Sequence, residues 1–358
     1  MVVFTEGFDW SNLIADLISY GKWFDRSSIS IGNTSGNLRF GSGSGNYISD
    51  SSRNRYLRMA LPSNMAAGVI GLAVRLDTSA GYKMTLIALQ DTTSNCQMGI
   101  QINDDLTLSV FRASNSNILG TTTFTLTANT WHYIEFKFKV TSSTSSGDVE
   151  IYVDNDLKLS VAASSNTQAT ANAYATHMQL SGSSVPTLSG GGSGVWYIDD
   201  IYILDSSGSY NTSRLGPVRV TTLFPSGNGN SSQLLGSDGN STNNYLLVDE
   251  NTAPNSDTDY VGSATVGQKD TYAYDDLPAT ATDVYAINIQ SMARKTDTGA
   301  RDFNPVIRTG STDYDQSAVS LSAGYLLYRK IVEENPNTTA PFTVSEVNGM
   351  EVGFKVNA

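Results

Sequence analysis

Residues 130–205 alternate apolar and polar side chains with a period of two, the spacing of half-buried β-strands. Ile134, Phe136, Phe138 and Val140 share one face of such a strand, and Glu135, Lys137 and Lys139 share the other. Residues 149–159 predict a hairpin around Asp154-Asn155-Asp156, because short polar side chains tolerate the positive φ of a tight turn. Residues 196–205 add a further strand. Upstream, residues 70–76 and 83–89 predict strands joined by a turn through 77–81, and residues 98–102 and 106–111 flank a second turn at Asn103-Asp104-Asp105. Loops are expected at 141–147 and 181–194. Short strands at this spacing, without intervening helices, predict an all-β antiparallel jelly-roll sandwich over residues 1–207.

Residues 205–212 are small, polar and turn-prone, as at a boundary. Residues 223–269 are rich in Ser, Asn, Gly and Asp, so 208–282 is expected to be a linker with an extended arm. Periodicity returns at 284–290, 304–309, 318–321, 325–332 and 350–356, giving a smaller C-terminal β-sandwich module over 283–358. One short helix is expected there. Thr343-Val344-Ser345-Glu346 has the capping-box pattern, with Val344 and Val347 facing the core and the helix ending near Gly349.

Composition narrows the function classes. The 358 residues carry a formal net charge of −12, and only 16% are charged. Binding nucleic acid through its phosphates needs a basic face. The nearest clusters, Arg53, Arg55 and Arg58, and Arg294-Lys295 with Arg301, read as solvated charges. Cys96 is the one cysteine, so no intramolecular disulfide forms. The N-terminal residues lack the basic and apolar regions of a signal peptide, and the apolar run 65–74 is half the length that spans a bilayer. Synthesis in a cytoplasm without standard export, and no membrane insertion, are therefore expected.

Candidate chemistry is sparse. The two histidines, His132 and His177, lack metal-ligand spacing, and His132 reads as a half-buried structural residue. Adjacent carboxylates occur at Asp104-Asp105, Asp199-Asp200, Asp249-Glu250, Asp275-Asp276 and Glu333-Glu334. Strand alternation puts Asp199 and Asp200 on opposite faces, which denies them the convergence that glycoside hydrolysis needs and marks them as a strand-edge feature. No Glu-x-Asp-x-x-Glu segment is present. Asp154, Asn155, Asp156, Asp199 and Asp200 have the oxygens that suit calcium, but without a ligand-loop spacing; turn chemistry explains them more cheaply. Tyr133, Tyr152, Tyr197 and Tyr202 alternate with core positions, where some are available for display to a sugar and cross-strand packing is the commoner use. The sequons at Asn33, Asn211, Asn230, Asn240 and Asn337 are expected by chance in a chain of this composition. No catalytic or metal-ligating residue, and no cofactor, is assigned; ligand-binding residues are left unassigned.

Taken in order, Glu6-Gly7-Phe8-Asp9, residues 130–136, 148–157 and 197–202 resemble the laminin-G/concanavalin A-like jelly roll of tailed-phage virion structural proteins. Residues 215–225 are similar to the segment that follows that jelly roll, and 293–295, 305–310 and 342–348 to its C-terminal module. The resemblance implies a non-enzymatic structural component of the virion, assembled in the host cytoplasm. Of the places on the particle, a tail-associated or fibre-like one is expected, with subunit packing as the mechanism. Expected partners are other virion proteins and further copies of the chain. The alternatives are a capsid decoration protein and a glycan-binding adhesin whose partner is a host-surface polysaccharide.

Overall fold

A computed structural model describes residues 1–10, 13–27, 29–40, 47–52, 55–77, 83–92, 95–144, 148–181, 193–250 and 256–358. The chain divides into two compact units. The first comprises Met1–Ile18 and Lys22–Val220; the second comprises Ser19–Gly21 and Thr221–Ala358.

The first unit is built from two antiparallel sheets. Its strands in chain order are β1 (Val2–Glu6), β2 (Asp25–Arg26), β3 (Ser30–Gly32), β4 (Tyr47–Ser52), β5 (Leu57–Met65), β6 (Ala67–Leu76), β7 (Met84–Thr92) and β8 (Asn95–Ile102). They continue as β9 (Thr107–Arg112), β10 (Ser114–Thr125), β11 (His132–Lys139), β12 (Glu150–Val153), β13 (Asp156–Ser160), β14 (Ala175–Leu180) and β15 (Ser193–Asp205). One sheet has the order β13-β12-β11-β6-β15-β4-β3, with β1 also paired to β15; the other has the order β10-β9-β8-β7-β14-β5-β2. The result is an all-β, jelly-roll-like sandwich.

The alternation in β11 sets the layering. Ile134, Phe136 and Phe138 are buried in the core between the sheets with Leu72, Ile70, Met98 and Trp196. Replacing a side chain such as Phe136 by alanine there would cost about 3–5 kcal/mol. On the outer face Tyr133 stands opposite Ala73 and Glu135 opposite Gly71. Gly71 is required by packing, since a Cβ would lie 2.2 Å from the Tyr202 ring. The β12–β13 turn takes φ of 51° at Asp154 and 77° at Asn155, both positive as in a type I′ hairpin. The expected turns and loops at 77–81, 141–147 and 181–194 lie partly outside the described residues, as does Arg53.

In the second unit a six-stranded sheet runs Pro225–Ser232, Lys269–Tyr274, Glu351–Val356, Asp302–Thr309 and Thr312–Asp315, with Val319–Ser320 paired to Asp302–Thr309. Ile287–Ala293 pairs separately with Leu326–Val332. Ile289, Ile307, Phe342, Val347 and Val352 form the core. The helix Val344–Asn348 carries the full capping box: Glu346 N–H donates to Thr343 Oγ1 at 3.2 Å, and Thr343 N–H to Glu346 Oε2 at 2.8 Å. Val347 is buried, Val344 only partly, and Gly349 is the C-cap.

The segment expected as an arm is folded instead onto its own unit. Pro225–Ser232 is a sheet strand despite its lack of large apolar residues. Buried Asp270 gathers the residues after that strand, accepting Gln233 N–H at 2.5 Å, Leu234 N–H at 2.9 Å, Asn244 Nδ2 at 2.6 Å and Tyr272 OH at 3.0 Å. Backbone pairing and one carboxylate thus replace the hydrophobic pattern that a sequence reading depends on. Among the described residues, no helix is long and apolar enough to cross a membrane.

Candidate ligand-binding patch

The outer face of the eight-stranded sheet holds most of the sequence candidates, and it is occupied by the chain itself. Strand β15 lies between β6 and β4, so Asp199-Asp200 is not a strand-edge feature. Alternation also fails there. The register slips between Asp199 and Tyr202, with Asp200 at φ 50°, a bulge that leaves both carboxylates buried side by side. Asp200 is held by Arg39 Nη1 at 2.6 Å and Val220 N–H at 2.7 Å. Asp199 accepts the Asp200 N–H at 2.7 Å. Burial, then the negative charges of Asp200 and Asp9, push the Asp199 carboxyl well above the usual carboxylate range.

Glu135 does the same work two strands away. It accepts Tyr202 OH at 2.5 Å and Gly216 N–H at 2.8 Å on Oε1, and Arg214 Nη1 at 2.9 Å on Oε2. Arg214 also lies 4.0 Å over the Tyr152 ring and bonds Asn155 Oδ1 at 2.6 Å. Residues 206–220 are thereby strapped across this face. Tyr133, Tyr197 and Tyr202 are buried and not displayed: the strap and Arg39, stacked 4.7 Å over Tyr133, cover Tyr133 and Tyr202, while Arg75, Tyr47 and Trp131 pack on Tyr197.

The remaining candidates are tied up locally. His132 Nε2 accepts Thr127 N–H at 3.0 Å, so its Nδ1–H donates to Asp154 Oδ2 at 2.7 Å. Asp154 Oδ1 accepts Tyr133 N–H, and Asp156 pairs with Lys158. Asp105 accepts both the N–H and the hydroxyl of Thr107, which lowers its carboxyl. Among the described residues, no group of three or more His, Cys, Asp or Glu side chains is placed to hold a metal ion. Cys96 is buried, its thiol pushed up by desolvation.

An accessible constellation instead sits at one edge of the seven-stranded sheet. Strand β2 is two residues long and adds to β5 with Asp25 opposite Arg58; Arg58 in turn stands opposite Gln179 on β14. Phe24 N–H donates to Arg58 O at 3.1 Å, which holds the Phe24 backbone at this edge, and the residue is 41% exposed. Arg58, itself buried, forms an ion pair with Asp25 Oδ2 and stacks 5.3 Å over Phe24 and 5.5 Å over Tyr56. Tyr56 OH donates to the same Asp25 oxygen at 3.3 Å. The His177 ring meets Phe24 edge-on at 5.3 Å.

Hydrogen bonding fixes the His177 tautomer. The single proton of the Thr176 hydroxyl goes to Asp91 O at 2.7 Å, so the 2.7 Å contact with His177 Nδ1 requires the imidazole to donate. Nε2 is left as an acceptor. Burial, with the Arg58 charge second, lowers the His177 pKa, which favours this neutral form. Beneath the patch, Gln90 Nε2 donates to Gln179 Oε1 at 3.3 Å, and Gln179 Nε2 to Ser181 O at 3.0 Å. A polar foundation therefore supports an exposed ring, an imidazole and a carboxylate. Sequence reasoning passed over Phe24, Asp25 and Tyr56, treated Arg58 as a solvated charge, and saw His177 only as a histidine without metal-ligand spacing. The one available signal was the aromatic pair Trp23-Phe24 leading into Asp25-Arg26.

No protein-family profile matches the chain, and no curated protein matches it in sequence. Solved structures give loose matches. A cellulose-induced protein, Cip1, aligns over 60% of this chain and 100% of its own, at 14% identity and a TM-score of 0.40. Domain 4 of an extracellular arabinanase from Geobacillus stearothermophilus, in complex with arabinotriose, aligns over 57% of this chain and 92% of its own, at 13% identity and a TM-score of 0.37. Trypanosoma rangeli sialidase aligns over 49% of this chain and 27% of its own, at 9% identity and a TM-score of 0.34. Likeness this loose carries neither ligand nor activity across.

Proposed function

We propose that the first unit is a glycan-binding module and that the Phe24 patch is its ligand site. One observation carries the reading: an exposed phenylalanine ring stands edge-on to the His177 imidazole and shares Arg58 with the half-exposed Asp25 carboxylate. Sugars present an apolar ring face and flanking hydroxyl donors, and this patch offers a counterpart to each. The reading is one of binding and not of catalysis. The adjacent carboxylates Asp199 and Asp200 are buried, and Asp200 is tied to Arg39. A host-polysaccharide array probed with the full chain and with Phe24→Ala tests it. Retention that the substitution removes supports the reading; a flat response from well-folded protein sinks it.

The finer setting follows the ordered sequence resemblance: a module on a tailed-phage particle, tail-associated or fibre-like, acting as an adhesin alongside other virion proteins. Mass spectrometry of purified virions tests this setting, which is abandoned if the protein is missing from the particles. Labelling confined to the head would favour the decoration role.

A further inference from the structure

Resting on that reading, we infer that the Phe24 patch selects a neutral, hydroxyl-rich sugar over an acidic one. The argument is a count of donors and acceptors. Among the described residues, Arg58 is the cation packed on the Phe24 and Tyr56 rings, and its guanidinium is already engaged by Asp25. Its side chain is 7% exposed, against 36% for Asp25, so an incoming ligand meets the carboxylate before it meets the guanidinium.

Both bonds to Asp25, from Tyr56 and from Arg58, end on Oδ2. Among the described residues no hydrogen bond reaches Asp25 Oδ1. The His177 imidazole, edge-on to Phe24, is the second polar group at the ring, and its Nε2 is likewise an acceptor. Two acceptors flanking an apolar ring call for a ligand with hydroxyl donors at the rim of a hydrophobic face, as in a neutral pyranose. A uronate or sialate would bring its carboxylate against an acceptor pair of which one member is ionised. Like charges brought into contact carry a penalty and no compensating bond. The chain's net charge of −12 acts in the same direction at longer range.

The test uses matched pairs on the full chain: oligomers of glucose, galactose and mannose beside glucuronate, galacturonate and mannuronate oligomers of equal length, by titration calorimetry. A neutral member should bind roughly ten-fold or more tightly than its uronate partner, a difference of about 1.4 kcal/mol. Asp25→Asn should narrow that gap, and His177→Ala should weaken the neutral ligand. Should Asp25→Asn fail to fold, salt supplies the second measurement, since screening should improve uronate binding by the unaltered chain. Equal or tighter binding of the uronates, or a gap that neither Asp25→Asn nor salt changes, overturns the selectivity while leaving the glycan site in place. No binding by any member, or binding indifferent to Phe24→Ala, overturns the site as well.

Discussion

Glu135→Ala offers the sharpest test of how the first unit is held together. The carboxylate is 1% exposed at its side chain and accepts from Tyr202 OH, Gly216 N–H and Arg214. Removing it strands two donors at a buried position and leaves Arg214, 28% exposed, with its bonds to Asn155 alone. Because Arg214 is partly in water, its share of the loss is small. The larger share is the two donors left without a charged acceptor. Breaking a buried ionic network from one side typically costs about 3–5 kcal/mol, and the upper part of that range belongs to fully desolvated partners. The expected loss is therefore about 3 kcal/mol. Arg214→Ala should cost less, about 1–2 kcal/mol, since Glu135 keeps its two other donors, with charged hydrogen bonds worth about 1.5–3 kcal/mol each. The readout is selective: all four tryptophans, Trp10, Trp23, Trp131 and Trp196, belong to the first unit. Tryptophan fluorescence in a urea titration of the full chain therefore follows that unit alone. The reasoning fails if Glu135→Ala costs under about 1 kcal/mol, below a single charged hydrogen bond, or if Arg214→Ala costs more than Glu135→Ala.

Asp199→Asn should stabilise the first unit at neutral pH. Its folded pKa is raised, so stability is undiminished below the unfolded value of about 4 and is lost as pH climbs through the interval up to the folded value. The unaltered protein should thus gain from this residue on mild acidification, and the asparagine variant should show a flatter fluorescence-detected stability profile; an unchanged profile would count against the buried pair. Thr343→Ala deletes the capping box and should cost the second unit about 1 kcal/mol, read by hydrogen exchange at residues 344–349. Exchange there as slow as before would show that tertiary packing alone holds the helix.

The parts that could be read in the sequence are those in which local chemistry and tertiary demand agree. Ile134, Phe136 and Phe138 alternate because one face of β11 is buried; Asp154-Asn155 turn because both tolerate positive φ; Thr343 and Glu346 cap because their reach is local. Legibility ended where distant partners decide. Pro225–Ser232 is a strand because Lys269–Tyr274 pairs with it, not through any pattern of its own. Asp200 escapes alternation through a bulge that only its contacts with Arg39 and Val220 explain. The Phe24 patch brings together residues from positions 24–25, 56–58 and 177, and a two-residue strand has no period to detect. Tyr133 and Tyr202 looked available for display because nothing in their own segments announces the residues that cover them.

The strap over the eight-stranded sheet also decides where this protein can be cut. A fragment ending at residue 207 would match the boundary that composition suggests, yet it would discard Arg214, Gly216 and Val220 and leave Glu135 and Asp200 as carboxylates without those counterparts. Ending at Val220 keeps every one of those bonds. Residues 208–220, which look like spacer, are in energetic terms the last course of the sandwich, and excision of a working module has to include them.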